Sequence, residues 1–381
     1  MRRAVSILCV LLVIPLLLLF LHIHAALPND TAPLVQEKYA SWSGVLRLWV
    51  YEGWEANAIT WLNRAISSFE KAYSGVYIQA RKVDAEALRS FCTSGVNPPD
   101  MILFPPGLLE NAGGLAPLDE PPALREGLAA CGGGYAVPVL MGGYAWAYDR
   151  QALDSPPQEA DDATLACAPA GEYSSLPAAL MLLLTGEQGA EIELEAPGLD
   201  LGLPVSVDRD EAQPSTLPAL SEDAYAAFTR GEVDALPVSQ AQIRRLKALS
   251  EAGRGPDWTA AATGEAMLAD QLLLLGIVDW PRDDLEARQE LCRAFLAHLL
   301  SVETQTSLTV AGALPVLEGL TIYAGESGYE ALEAAASLPL LVPPVFGTSG
   351  RETLDAVAGA FWSGQISAYE GIERLRAAFA R

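Results

Sequence analysis

From Gly44 onward the apolar positions follow two alternating rhythms. Gly44-Val45-Leu46-Arg47-Leu48-Trp49-Val50 is a strand by composition and length. Ile59, Leu62, Ile66, Phe69 and Tyr73 then recur three and four residues apart, the single apolar stripe of a helix. Ser74-Gly75 stops that helix. Val76 to Val83 is a second strand, Asp84 caps a helix carrying Leu88 and Phe91, and Met101-Ile102-Leu103-Phe104 is a third strand. This β-α-β-α-β order predicts an α/β fold, a parallel sheet with helices on its faces.

A second unit of the same kind begins near residue 163. Thr164 to Cys167 is a short strand and Ser175 to Thr185 an apolar helix, whereas residues 186–218 are irregular and rich in Pro and Glu. Ser221 caps a helix through Tyr225 and Phe228, Val233 to Val238 is a strand, and Ser239 caps a helix with Ile243, Leu246 and Leu249 inward. Leu272 to Val278 has the pattern of a fully buried strand. Asp283 and Glu286 form a capping box for a helix bearing Leu291, Phe295 and Leu299; Ser301 caps a further turn, and Ala313 to Val316 is extended. The tail predicts two helices, Thr353 to Trp362 and one that follows a capping box of Ser367 and Glu370.

Between the two units lies GGGYAVPVLMGGYAWAYDR, residues 132–150. Its apolar run breaks at Gly142-Gly143 and then delivers Tyr144, Trp146 and Tyr148 in alternation. A buried strand ending on a glycine pair and three amphipathic rings suits a segment that leaves one domain for another across a cleft. In open α/β sheets, ligands sit beyond the carboxyl ends of strands. Tyr51, Glu52 and Trp54 follow the first strand, Phe104 ends the third, Tyr173 follows the first strand of the second unit, and Ser239 and Gln240 follow a later one. Aromatic faces stack on the C–H faces of sugars while carboxylates and amides pair with hydroxyls, so the set points to a carbohydrate groove. Trp61, Trp280 and Trp362 are read instead as core packing.

Length and charge narrow the picture. A chain of 381 residues, 51% hydrophobic, can build two sizeable cores. Its net charge of −24 argues against nucleic acid as a partner, because phosphate binding needs a basic face. Arg2 and Arg3 precede Ala4 to Leu21, a stretch without a charge that falls between a signal-peptide core and a spanning helix in length. Residues 1–26 are therefore a signal peptide or an N-terminal membrane anchor. The anchor is favoured, because neither Ile23-His24-Ala25 nor His24-Ala25-Ala26 is a good cleavage site. Residues 27–43 are a linker, and all that follows is exported. Cys9 follows Leu8 and lacks the small residue a lipobox would place there. Cys92, Cys131, Cys167 and Cys292 remain in the exported part; three pairings are open, and unpaired buried thiols are expected.

Catalytic signatures are scarce. Outside the leader the one histidine is His298, on an amphipathic helix, which removes His-pair zinc sites and disfavours a Ser-His-Asp triad. No GxSxG elbow, Walker A loop or GxGxxG fingerprint occurs, and Gly132-Gly133-Gly134 lacks the following helix that a phosphate cradle needs. Carboxylates are too abundant for counting to exclude a glycosidase pair.

GVLRLWVYEGW, WLNRAISSFEKAYSGVYIQ, PPDMILF and GGLAPLD resemble the first lobe of bacterial extracellular solute-binding proteins, family 1, the receptors of carbohydrate-type ABC importers. GGGYAVPVLMGGYAWAYDR is similar to that family's first interlobe crossover, and AFTRGEVDALPVSQAQIRRL and RAFLAHLLSVETQTSLTVAGALPV to second-lobe and later segments. The matches run in family order from about residue 44 to 318. The chain departs from the family in lacking a lipobox, in a short irregular stretch at 150–220, and in Tyr148-Asp149-Arg150 where an aromatic–aromatic–Asn ending is usual.

The resemblance implies a type II periplasmic-binding-protein-like fold, each lobe a mainly parallel sheet with flanking helices. Lobe I would comprise residues 44–140 and 270–312, and lobe II residues 146–262 and 318–381, with crossings near 139–146, 263–276 and 312–317. Hinge glycines would be Gly142, Gly143, Gly276 and Gly312, and ligand contacts Glu52, Trp54, Tyr51, Phe104, Tyr144, Trp146, Tyr173, Ser239 and Gln240. The expected activity is capture of a small solute, a sugar, for delivery to ABC permease subunits by a monomer without cofactor, metal or bond chemistry. The alternatives are an anchored sensor or scaffold of the same fold, and a surface carbohydrate-active hydrolase.

Overall fold

The computed structural model describes residues 42–379 apart from 54–55, 92–97, 120, 122, 158–161, 167–175, 185–190, 196–204, 208–220, 263, 265 and 363–364. The leader, most of the linker, Trp54, Tyr173, Cys92 and Cys167 lie outside the described residues.

Along the chain run β1 (Gly44–Tyr51), α1 (Ala56–Ala72), β2 (Val76–Val83), α2 (Ala85–Arg89), β3 (Met101–Phe104), β4 (Ala136–Met141) and β5 (Tyr144–Asp149). There follow β6 (Asp162–Ala166), α3 (Leu176–Leu184), β7 (Glu191–Glu195), β8 (Val205–Val207), α4 (Ser221–Arg230), β9 (Ala235–Ser239), α5 (Gln240–Glu251), β10 (Trp258–Ala261), β11 (Met267–Leu268) and β12 (Leu272–Ile277). The last elements are α6 (Leu285–Leu299), α7 (Val302–Thr306), α8 (Ser327–Ala335), β13 (Leu340–Leu341), α9 (Ser349–Trp362) and α10 (Ala368–Phe379).

Two sheets result. The first has the order β2-β1-β3-β12-β4 and the second β10-β5-β9-β6-β7-β8. β1 pairs in parallel with β2 and β3, and β6 with β7 and β9. β12 runs antiparallel to both β3 and β4, and β5 antiparallel to β9. The cause is the route of the chain. A strand that enters a sheet directly from the other lobe arrives at the carboxyl ends of the parallel strands and must run against them. β5 follows Met141 after two residues, and β12 follows Asp270-Gln271, so both are reversed. The parallel strands thus all end at the seam between the sheets, where a ligand would be expected.

Most predicted elements are present, with three differences. The irregular stretch 186–218 contains β7 and β8, which pair with each other and extend the second sheet. β10 and α8 had no periodic signal: β10 is Trp-Thr-Ala-Ala with every residue half-buried, and α8 is largely Ala and Glu. The capping box of Asp283 and Glu286 does not form. Asp284 is the N-cap of α6, and its carboxylate accepts from Arg288 Nε (2.8 Å) and Trp42 Nε1 (3.3 Å) instead. Asp84 and Ser301 cap as expected, accepting from Ala87 N–H (2.7 Å) and Thr304 N–H (3.2 Å).

The first core gathers Leu46, Leu48 and Val50 of β1, Trp61, Leu62 and Phe69 of α1, and Leu291, Phe295 and Leu299 of α6. Trp61 is fully buried and donates from Nε1 to Thr304 O (3.1 Å), in keeping with a packing role. Cys131 and Cys292 are free thiols, and burial raises both from their ordinary pKa. Among the described residues no helix is long and apolar enough to cross a membrane.

Asp100, just before β3, is a buried carboxylate with charged partners. Oδ1 accepts from Arg282 (2.8 Å) and Arg288 (3.3 Å), and Oδ2 from the Arg47 amide (2.7 Å). Removing one member of a buried ionic cluster strands the others. Asp100→Ala is expected to cost about 3–5 kcal/mol in urea denaturation.

His298 lies beside Phe69 and Phe295, at ring-centroid separations of 5.8 and 6.5 Å, and its Nε2 is buried without a hydrogen-bond partner. Burial holds its pKa below the usual imidazole value, so the folded state resists the proton. The unfolded chain then binds more protons through the ordinary histidine range, and stability falls as pH drops from about 7.5 to 5.5. His298→Leu should show a smaller melting-temperature loss over that interval than the unsubstituted chain.

Candidate functional site

The seam between the sheets is built from three crossings. The first is Gly142-Gly143, between β4 and β5. The second carries Asp270-Gln271 into β12, and the third runs through Ala313–Leu317. Met141 and Leu314 exchange backbone hydrogen bonds (3.1 and 2.8 Å), tying the first crossing to the third. Gly142 N–H donates to Gln271 O (2.6 Å), tying it to the second.

Side chains complete this floor. Gly143 N–H donates to Gln240 Oε1 (3.2 Å), and the Tyr144 hydroxyl donates to Asp270 Oδ1 (2.7 Å). Ser239 stands opposite Tyr144 in the β5–β9 ladder, and its N–H donates to Gln242 Oε1 (2.9 Å). All five of these side chains are buried, an unusual density of polar groups in a protein interior. Asp270 also lines a cavity of about 20 Å3 with Pro106, Gly107, Pro344 and Arg351, room for a single water.

The expected contact residues separate into groups. Tyr144, Ser239 and Gln240 meet at the floor with the glycine pair. Glu52 is exposed at the end of β1, its N–H donating to Val83 O (2.9 Å), and Tyr51 is buried with its ring folded against Gly53. Trp54 and Tyr173 lie outside the described residues.

Phe104 and Trp146 do not face the seam as free rings. Phe104 is fully buried with Phe346 over it, ring centroids 6.2 Å apart. Trp146 is fully buried in the second lobe and donates from Nε1 to Leu183 O (3.2 Å). Sequence reasoning missed Asp270 and Gln271. Their signal was available, since they are the only polar residues in the otherwise apolar run Ala266 to Val278.

The four glycines differ in what surrounds them. Neither Gly142 nor Gly143 has a left-handed φ. A Cβ at Gly142 would lie 2.5 Å from the Gln240 amide, and one at Gly143 3.1 Å from Met267 Sδ, so a side chain at either position must displace its neighbour. Gly276 lies inside β12, away from the crossings, where Leu115 (3.1 Å) and Phe104 (3.5 Å) occupy the space of a Cβ. Gly312 does stand at the third crossing, with φ +66° and the Tyr329 hydroxyl 2.6 Å from a Cβ position.

Two buried side chains hold the third crossing. Gln305 Nε2 donates to Val139 O (2.8 Å) and Leu299 O (2.9 Å), and its Oε1 accepts from Val316 N–H (3.0 Å). The Arg125 guanidinium donates to the carbonyls of Pro315 (2.9 Å), Leu320 (3.0 Å) and Ala336 (3.2 Å). Among the described residues no group of three His, Cys, Asp or Glu could hold a metal ion.

Three solved structures share this architecture. The GacH receptor of Streptomyces glaucescens GLA.O, determined unliganded and with acarbose, matches at TM-score 0.56 and 18% identity over 89% of this chain and 99% of its own. The cyclic α-maltosyl-1,6-maltose binding protein of Arthrobacter globiformis matches at 0.56 and 14%, over 89% and 98%. The maltose/maltodextrin-binding domain MalE of Bdellovibrio bacteriovorus, bound to maltotriose, matches at 0.52 and 16%, over 88% and 99%. No family model and no curated protein matches the chain. At such identities the likeness establishes the fold, a two-lobed type II binding-protein fold over nearly the whole chain.

Gly142→Ala is expected to push the Gln240 amide aside and leave the Gly143 N–H without its acceptor, costing about 1–3 kcal/mol in chemical denaturation. Gln240→Ala made first should absorb most of that loss, so a double-mutant cycle reads the coupling directly.

Proposed function

We propose that this chain is an extracytoplasmic solute-binding protein of an ABC importer, which captures a small carbohydrate between its lobes and delivers it to a membrane permease. The observation that carries this reading is the fold likeness to sugar-binding proteins over 88–89% of the chain. The polar floor agrees with it. Asp270, Gln240, Ser239 and the Tyr144 hydroxyl offer acceptors and donors suited to sugar hydroxyls, and Glu52 is exposed at the end of β1.

The mechanism is binding without bond chemistry. A sugar touching both lobes favours the closed arrangement by its differential affinity, and bending at the crossings encloses it. Glu52, Trp54 and Tyr173 are assigned as ligand contacts, the two rings as stacking partners. Tyr51, Phe104 and Trp146 are buried, as are Tyr144, Ser239, Gln240 and Asp270, so contact with ligand at any of them requires the seam to open. The leader keeps the protein at the membrane, near the permease. Since relatives in fold bind acarbose and maltotriose, α-linked glucose oligosaccharides are the first ligands to try.

Titration calorimetry with maltose, maltotriose and acarbose is expected to give one-to-one binding in the cleft. Trp54→Ala and Asp270→Asn should each weaken it about tenfold or more, the range for losing one stacking face or one charge-assisted hydrogen bond. Unchanged affinity in both variants would remove the site assignment. Absence of binding across a broad oligosaccharide panel would remove the carbohydrate reading.

A further inference from the structure

A roomier cavity lies elsewhere, at the end of β5 remote from the seam. It holds about 550 Å3, within the range of small-molecule sites. Its walls come from the end of β5, the last turns of α5, the start of β10 and the first turn of α8. None of these residues belongs to the polar floor.

Trp258 lines it, half-buried and held. Its Nε1 donates to Ser250 Oγ (2.7 Å), and its ring edge abuts Gly328, where a Cβ would lie 2.8 Å from Cη2. The same Cβ would lie 2.9 Å from Ile243 Cγ2, so the glycine opens α8 to the indole. An aromatic ring fixed at both ends is preorganised to receive a flat partner.

Two ion pairs border the ring, Arg150–Asp257 from the second sheet and Lys247–Glu326 between α5 and α8. Each pair leaves donors and acceptors unused on both members. Arg254 and Glu251 add one further charge of each sign, so the lining carries equal numbers of cations and carboxylates. An anion would meet three carboxylates and a cation three basic groups. A neutral polyhydroxylated ring meets no net charge, finds donors and acceptors together, and has an indole to stack on.

We infer that this cavity is a second carbohydrate site, taking a neutral pyranose independently of the interlobe cleft. The probes are maltose, methyl α-glucoside and glucuronate, offered to the full chain in saturation-transfer NMR and titration calorimetry. Gln240→Ala and Asp270→Asn together silence the cleft, leaving the second site to be read alone. In that background maltose and methyl α-glucoside should still bind, more weakly than in the cleft. Trp258→Ala should weaken them about tenfold, and Asp257→Ala several-fold with an unchanged melting temperature. Glucuronate should bind less well than methyl α-glucoside. The inference is overturned if no neutral sugar binds once the cleft is silenced, if Trp258→Ala and Asp257→Ala leave binding unchanged, or if glucuronate is preferred. Sugar binding that survives only outside the cleft would refute the importer site and leave this one standing.

Discussion

Three passages of chain between two sheets impose one constraint: backbone groups that leave a ladder must find other partners, because the seam is too dry to leave them to solvent. The crossings solve this by pairing with one another. Met141 and Leu314 exchange two backbone bonds, and Gly142 donates to Gln271 O. Where no backbone partner is within reach, a buried amide or guanidinium takes its place. Gln305 satisfies Val139, Leu299 and Val316, and Arg125 satisfies Pro315, Leu320 and Ala336. Burial lowers the arginine's pKa while Glu333 opposes that shift, and Glu333 itself accepts the Ile322 and Tyr323 amides. The interior polar residues are largely the cost of crossing.

That arrangement bears on how the lobes could move. The first and third crossings are fastened by several bonds within a few residues of one another, so bending there must be shared rather than local to one glycine. The second crossing is fastened differently. Met267 and Ala269 take their acceptors from Pro339 and Leu341, in the short β11–β13 pair, and Gly107 N–H donates to Val345 O in the same tail segment. The tail thus braces the second crossing and the end of β3 together, and any opening of the seam has to carry that segment with it.

The sequence made the sheets legible wherever apolar periodicity was local. β1, α1, β2 and β3 could be read because each buries its own stripe against its immediate neighbours. Less legible were contacts with residues far along the chain. Phe104 looked like a free ring at a strand end, yet Phe346, more than two hundred residues later, covers it. Gly142 looked like a source of freedom, yet a Cβ there would press on the Gln240 amide, almost a hundred residues later. β10 carried no period because all four of its residues are half-buried alike. Local pattern reveals which residues are apolar, and a seam between lobes decides which of them remain exposed.

Asp100 and Asp270 show how one residue type serves two ends. Both are buried carboxylates, and burial of an unpartnered charge is prohibitive. Asp100 is met by two guanidinium groups and a backbone amide, a set of charged donors that no neutral ligand could displace. Asp270 is met by the phenol of Tyr144 and borders a water-sized cavity at the seam. The first carboxylate is therefore committed to the fold. The second borders the seam, where Tyr144 and Arg351 stand beside it, and its place rather than its depth of burial sets it apart.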